Sequence, residues 1–242
     1  MNVSMLDPSP SADIRSALLS DDWYRSCPPP LQDALIVHAR ERRLQPGEYL
    51  FMRGTDDGDL YCVLAGSLCV QSVDAEGEMP VLVVLEPYHW FGELSLIDRT
   101  PRSHDAVAET EVTVLRVPCA ALESWLAANP AHWRDIARLA AGKLRIAFHL
   151  MDEELRRPLL ERVARRLWLV AHGWGYRTNE PRRRIRLSQD QLARMLGTTR
   201  TGVNKALREL ERQGLMRLHY GEIELLDLVA LRQGATASEL AG

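Results

Sequence analysis

The 242-residue chain contains no apolar run near the roughly 18 residues that a membrane-spanning helix needs. Its first 30 residues lack the basic-then-apolar order of a secretory signal. The four cysteines, Cys27, Cys62, Cys69 and Cys119, are too scattered for a tight iron–sulfur or zinc cluster. Cys62 and Cys69 sit in apolar, strand-like runs and read as reduced core residues. No metal site and no membrane partner are expected, and the expected location is cytoplasmic. The chain also lacks an activated nucleophile. His104-Asp105 is a weak pair, because neighbours on a strand point to opposite faces. No catalytic residue is assigned and an enzyme is not expected. Nor is there an overall excess of one charge: 30 Lys+Arg stand against 33 Asp+Glu, net −3.

The charge is unevenly distributed, however. Residues 156–242 hold 17 Lys+Arg and 9 Asp+Glu, net +8, whereas residues 1–155 hold 13 and 24, net −11. A basic C-terminal module is the electrostatic footprint of a phosphate-backbone partner. Ordinary scatter seldom gives so large an asymmetry. The length fits two domains with sizeable cores.

Pattern changes along the chain agree with that division. Residues 1–10 read as loose. Helical patterns follow near Ala12–Ser26 and Leu31–Arg40, separated by Pro28-Pro29-Pro30. From Arg43 to Val117 the pattern is one of short strands: Tyr49–Met52, Leu60–Leu64, Leu68–Val73, Val81–Leu85 and Val112–Val117. Turn signals recur between them, at Pro46-Gly47, Gly54, Asp57-Gly58, Gly66 and Glu76-Gly77. Such spacing suggests a small antiparallel roll or barrel. A short helix, Ala120–Ala127, stops at Asn129-Pro130. Ala131–Leu155 is then one long helix. Ile136, Ala140, Lys143, Ala147 and Leu150 keep a roughly heptad spacing on one face, with Leu139, Leu144, Ile146 and Met151 beside it. So wide an apolar surface calls for two partners: its own roll and the same helix of a second subunit. Burial within one chain is the alternative. Pro158 opens a helix over Leu159–Ala171, and a Gly-rich loop follows.

Leu187–Met216, LSQDQLARMLGTTRTGVNKALRELERQGLM, has the pattern of a helix-turn-helix. Ser188 can cap a first helix whose buried face is Leu192, Met195 and Leu196. Gly197 ends it, since glycine accepts the left-handed conformation of a helix C-terminus. Thr198 or Thr199 caps a second helix with the buried stripe Val203, Ala206, Leu207 and Leu210, which Gln213-Gly214 ends. Its outward positions, Thr199, Arg200, Thr201, Asn204 and Lys205, are residue types that bond phosphates and base edges. The N-terminal part of a recognition helix is the part that enters the major groove. A plain helical hairpin with a solvated polar face is the alternative. Leu215–Leu226 reads as a hairpin turning at Tyr220-Gly221, which makes a wing, and Asp227 can cap a last short helix.

A second motif lies in the strand region: Phe91-Gly92-Glu93-Leu94-Ser95-Leu96, then Thr100-Pro101-Arg102-Ser103. Glycine lets a backbone N–H approach an anion, and a helix start or nest favours phosphate. Arg102 can hold a phosphate with a bidentate fork, and Glu93 can accept from a ribose hydroxyl. Taken alone, the same residues fit a turn with a structural Glu–Arg ion pair.

Together, the order of parts, FGELSL…PRS, the long helix and the helix-turn-helix resemble the Crp–Fnr superfamily of bacterial transcription regulators, from about Leu31 to Gln233. The resemblance implies an α+β chain. Residues 1–130 would be an antiparallel, cyclic-nucleotide-binding-type β jelly roll with flanking helices, 131–155 a dimerisation helix, and 156–242 a winged helix-turn-helix domain. It also implies that Gly92, Glu93 and Leu94 form the phosphate-binding cassette with Arg102 and Ser103, Glu93 on the ribose and Arg102 on the cyclic phosphate. The chain departs from the family pattern in three places. His104 replaces a small residue and can fill part of the pocket or contact an anionic ligand. By spacing from Asn129-Pro130, Ala147 and Phe148 stand where the cyclic-AMP receptor protein has the Thr-Ser pair that reads adenine. Phe148 can stack on a base or pack in the core. In the second helix, Thr201 and Lys205 replace a glutamate and an arginine. The family's iron–sulfur and haem sensors do not fit, because only Cys27 lies near the N-terminus and the FGE segment is intact.

The expected partners are double-stranded DNA bearing an inverted repeat, a second copy of the chain, and RNA polymerase. Ser188, Thr199, Arg200, Thr201, Asn204 and Lys205 are the candidate DNA contacts. Gly92, Glu93, Leu94, Arg102, Ser103, His104 and Phe148 are the candidate effector contacts. Arg182, Arg183 and Arg184 touch phosphates or are simply solvated. No resident cofactor is identified, and a cyclic nucleotide or similar anion is the candidate effector. The alternatives are a binding module that signals by protein contact and a regulator with a vestigial pocket.

Overall fold

A computed structural model describes residues 12–72, 81–154, 157–172 and 181–233. The chain separates into two compact units, one of residues 1–72 and 82–142 and the other of residues 73–81 and 143–242.

In the first unit three short helices, α1 (Ala12–Leu18), α2 (Asp22–Ser26) and α3 (Pro29–Val37), precede the strands. The pattern Ala12–Ser26 is therefore two helices. The break comes where the Asp21 carboxylate accepts the Tyr24 N–H at 2.7 Å and caps α2. The helix expected from Leu31 begins earlier, because Pro29 and Pro30 occupy first-turn positions that need no N–H partner. It ends at Val37, and Arg40 already belongs to a strand.

The strands are β1 (Arg40–Leu44), β2 (Tyr49–Phe51), β3 (Leu60–Ala65), β4 (Leu68–Gln71), β5 (Val81–Leu85) and β6 (Trp90–Phe91). Then come α4 (Glu93–Asp98), β7 (Asp105–Ala108), β8 (Val112–Val117) and α5 (Cys119–Ala128). They form two four-stranded sheets, β1-β8-β3-β6 and β2-β7-β4-β5. One core joins both sheets, with Leu44, Tyr61, Val63, Phe91, Val112 and Val114 from the first and Leu50, Leu68, Leu85, Ala106 and Ala108 from the second. This is the expected antiparallel roll. The expected turn at Glu76-Gly77 lies outside the described residues, as do residues 1–10 and the end of the strand expected to reach Val73.

The first sheet is buried on both faces at β3, where Leu60, Tyr61, Cys62 and Val63 are all enclosed. Alternation puts Tyr61 and Val63 inside the roll and Leu60 and Cys62 on its outer face. The α2 aromatics help close the unit over Trp90. Tyr24 stacks on that indole at 5.7 Å, and Trp23 meets it edge-on at 5.5 Å. The Trp23 indole N–H also donates to the Asp135 carbonyl at 2.8 Å. This bond ties α2 to the first turn of α6 (Trp133–Glu154), which a 3-10 turn over Pro130–His132 introduces. Leu155, the last residue of the expected long helix, lies outside the described residues.

The second unit contains α7 (Leu159–Ala171), β9 (Arg184–Ile185), α8 (Gln189–Met195), α9 (Arg200–Arg212), β10 (Met216–His219), β11 (Glu222–Leu225) and α10 (Leu228–Gln233). Val163, Ala164, Leu167, Leu192, Val203, Leu207, Leu210 and Leu231 make its helical core. The three-stranded sheet β10-β11-β9 carries the wing, which turns at Tyr220-Gly221 as expected. The expected Asp227 cap forms too, its carboxylate accepting the Val229 and Ala230 N–H groups. The Gly-rich loop after α7 lies outside the described residues.

Trp90 is 1% exposed and touches two aromatic neighbours. Trp90→Ala should lower unfolding stability by about 3–5 kcal/mol through cavity formation. Urea denaturation followed by circular dichroism checks this, and a loss below about 1 kcal/mol would contradict the packing described.

Candidate functional site

Two places in the fold concentrate chemistry. The first is a cage around Arg102 inside the roll. Gly92 ends β6 with φ +95°, and a Cβ there would lie 2.6 Å from the Asp59 carbonyl and 2.9 Å from the Arg102 Nη1. Only glycine allows that approach. The guanidinium donates from Nη1 to the Gly92 carbonyl at 2.9 Å and from Nη2 to the Asp59 carbonyl at 2.6 Å. Its carbon lies 4.3 Å from the Phe51 ring centroid and 5.5 Å from that of Tyr61, both on the aromatic faces. An Asp57 carboxylate oxygen sits 3.3 Å from Nη2, and the Arg102 side chain is 3% exposed. Nε is the one nitrogen of this fork with no acceptor. The Arg102 backbone is fixed as well, exchanging hydrogen bonds with Gly54 and Thr55.

Glu93 is buried as the first residue of α4. With six residues α4 has little macrodipole, and the positive charge beside Gly92 is that of Arg102. Leu94 projects outward and is 53% exposed. Ser103 is exposed, and its hydroxyl meets the His104 Nδ1 at 2.9 Å. His104 titrates below its ordinary range, because partial burial opposes its charge and Arg53 repels it, while Asp105 works the other way. Asp105 points elsewhere and accepts the Arg53 N–H at 2.7 Å. Phe148 belongs to the second unit and is 60% exposed.

Sequence reasoning missed most of this cage. Asp57 was legible only as half of a turn signal, and Phe51 and Tyr61 only as strand residues. They lie about 40–50 positions from Arg102, and no local spacing joins them across the sheets.

The second place is the helix-turn-helix. The Ser188 hydroxyl accepts the Gln191 N–H at 3.1 Å while the Gln191 side chain accepts the Ser188 N–H at 2.6 Å, a complete capping box. After α8, Gly197 takes φ +55°. Thr198 N–H then reaches the Ala193 carbonyl at 3.0 Å, a Schellman closure of the helix end. Of the two expected caps it is Thr199 that serves α9, its hydroxyl accepting the Gly202 N–H at 3.1 Å. Val203, Ala206, Leu207 and Leu210 are buried as expected. Thr199, Arg200, Thr201 and Lys205 are exposed together on the first turns of α9, with Asn204 half-buried beside them. Asn204 also accepts from the Arg208 Nε at 3.2 Å. Arg200 lies 3.5 Å from Asp190 with both side chains more than half exposed, a surface pair too weak to restrain it. Sequence reading also missed two α7 arginines. Arg162 donates to the Leu196 carbonyl at 2.6 Å and Arg166 to the Met195 carbonyl at 2.9 Å, satisfying the C-terminal carbonyls of α8. Their spacing of four, one helical turn, is the signal that could have shown them. Arg183 donates to the Leu226 carbonyl at 2.9 Å, and Arg184, 64% exposed, lies 3.5–3.6 Å from Glu224 and Glu222.

Of the face expected on α6 for a second subunit, Ala147 is exposed and the Leu150 side chain lies outside the described residues. Ile136 and Leu139 are buried in the first unit and do not face outward. The exposed apolar stripe is Leu144, Ala147, Phe148 and Met151, at i, i+3, i+4 and i+7. Among the described residues no helix is long and apolar enough to cross a membrane.

A roll of this kind followed by a winged helix-turn-helix is the architecture of a class of DNA-binding regulators. Residues 41–129 match the cyclic nucleotide-binding domain and residues 161–233 the Crp-like helix-turn-helix domain. The chain is 30% identical over 195 residues to the cyclic AMP receptor protein of Thermus thermophilus, across 80% of this chain and 87% of that one. It is 28% identical over 205 residues to a CRP-like cAMP-activated global transcriptional regulator of Mycobacterium tuberculosis, across 82% and 92% of the two. Its fold is similar to that of FixK2 from Bradyrhizobium japonicum, with a TM-score of 0.71, 23% identity, and 83% and 98% coverage. The chain belongs to the Crp–Fnr family of transcription regulators, which is not a family of enzymes.

His104 gives the site a pH signature. Its folded pKa lies below the ordinary 6.5, so the fold disfavours the imidazolium. That contribution is fully present above pH 6.5 and is lost as pH falls through the lowered value. His104→Gln should therefore flatten part of the stability loss between about pH 7 and pH 5, read from urea midpoints across that range. An unchanged slope would contradict the assignment.

Proposed function

We propose that the chain acts as a cytoplasmic homodimer whose C-terminal unit reads an inverted-repeat operator under control of an anion in the roll. The observation that carries the DNA reading is the exposed first-turn face of α9, Thr199, Arg200, Thr201 and Lys205, standing on a capped and buried helix. Arg200 is 67% exposed, and its fork matches guanine O6 and N7. Thr199, Thr201, Asn204 and Lys205 serve base edges and phosphates, and Ser188 keeps a hydroxyl proton to offer while it caps α8. The basic balance of residues 156–242 adds a sequence-independent attraction to the duplex.

We divide the chain into a sensor (1–130), a dimerisation helix (131–155) and a DNA-binding domain (156–242). The exposed stripe Leu144, Ala147, Phe148 and Met151 supports pairing of two α6 helices. Two recognition helices then sit about one DNA turn, roughly 34 Å, apart. In the roll, Gly92, Glu93, Leu94, Arg102, Ser103 and His104 form the effector site. The enclosed guanidinium and the glycine cradle fit a phosphate, and the names of the Thermus and mycobacterial relatives make a cyclic nucleotide the effector to test first. An effector shifts the balance of two dimer states only by its differential affinity for them. RNA polymerase is the partner expected of the DNA-bound form.

Selection of binding sites from random DNA tests the reading of the operator. The wild type should yield an inverted repeat. Arg200→Ala should lose specificity at one position of each half-site, at a cost of about 1–3 kcal/mol. An unchanged consensus, or a site without two-fold symmetry, would contradict it.

The pairing of α6 has its own test. Sedimentation should show a dimer at micromolar concentration, and Phe148→Glu should shift it towards monomer by placing like charges in the seam. A monomeric wild type would overturn the dimer.

A further inference from the structure

We infer that Asp57 is a built-in competitor for the effector, a carboxylate seated at Arg102 that any bound anion must displace. This deepens the proposal of an anion sensor in the roll and rests on it. Three observations carry it. First, the fork of Arg102 is enclosed by two carbonyls and two aromatic rings, and the Asp57 carboxylate pairs with it at 3.3 Å. Second, Asp57 is held in place. One oxygen accepts the Asp59 N–H at 2.8 Å and the other accepts the Tyr61 hydroxyl proton at 2.9 Å. Third, the neighbouring Asp59 cannot serve, because its carboxylate already takes the Cys119 N–H and the Arg116 guanidinium.

Asp57 keeps some access to water, its side chain being 22% exposed against 3% for Arg102. It is therefore the member of the pair that an incoming ligand can push aside. An anion entering while Asp57 stays put meets a like charge in a half-buried site, where repulsion is weakly screened. Displacing Asp57 sacrifices its three contacts. In either case the carboxylate lowers the affinity of the roll for anions and raises the effector concentration at which the regulator responds. Asp57 is thus a determinant of affinity that acts through Arg102.

Calorimetry with cyclic AMP and, separately, cyclic GMP tests this on the full chain. Asp57→Asn keeps the shape and the acceptor for the Asp59 N–H but removes the charge. It should tighten binding of at least one nucleotide by about ten-fold, equivalent to about 1.4 kcal/mol. Adding Arg102→Gln to the variant should abolish the gain. Asp57→Ser, with melting curves for each protein, guards against a folding defect. Affinity equal to or below that of the wild type, in folded variants, overturns the competitor role and leaves the sensor reading intact. No binding of either nucleotide by wild type or variant overturns both. Loss of folding in both Asp57 variants also overturns it, because a group that ligands displace cannot be one that folding requires.

Discussion

A cation almost wholly removed from water is the constraint around which the roll is organised. Burying a guanidinium costs several kcal/mol unless its donors and its charge are met. Here two carbonyls, a carboxylate and two aromatic faces meet its charge and its two Nη groups, leaving only Nε without an acceptor. Each partner comes from a different part of the chain: Phe51 from β2, Asp57 and Asp59 from the segment before β3, Tyr61 from β3 and Gly92 after β6. Both sheets must therefore close in register for Arg102 to be seated. Gly92 cannot carry a side chain, because its Cβ would fall on the Asp59 carbonyl and on Arg102 itself.

The DNA-binding unit solves a different problem. A short helix and a turn must aim the recognition helix without a large interface of their own. The capping box on α8, the Schellman closure through Gly197 and the Thr199 cap account for the orphan groups on both sides of the turn. Arg162 and Arg166 add donors from α7 to the last carbonyls of α8. The turn is thus fixed from three sides, while Arg200 and Lys205 stay exposed and carry no comparable restraint. Firm support under exposed basic side chains suits a DNA-binding surface.

Much of this was legible before any coordinates, and the reasons differ by element. The helix-turn-helix declared itself because caps, glycine and the 3.6-residue stripe are local signals that agree. The hairpin at Tyr220-Gly221 and the strands Val81–Leu85 and Val112–Val117 were equally local. The strand Arg40–Leu44, RERRL, is not legible as a unit: the helical pattern runs on to Arg40 and the strand pattern starts only at Arg43, because four of its five residues are polar and only Leu44 is buried. Its pairing with Val112–Val117, not its own composition, makes it a strand. The apolar face expected on α6 is narrower than its spacing suggests, for a related reason. Heptad spacing includes Ile136 without revealing that the first unit has already covered it. At the candidate effector site Gly92, Glu93 and Arg102 are visible as a motif. The counter-charge at Asp57 is not, since an ion pair across the roll leaves no trace in local spacing.

The most direct test of the account is hydrogen exchange at the Arg102 Nε–H in the ligand-free protein, followed by nitrogen-15 NMR and assigned by loss of the signal in Arg102→Lys. The enclosure described predicts a resolved Nε–H resonance that exchanges with water far more slowly than those of exposed arginines such as Arg200, and that moves in Asp57→Asn. An Arg102 signal that exchanges as fast as that of an exposed arginine and ignores Asp57→Asn would contradict the enclosed cation on which the roll is said to depend.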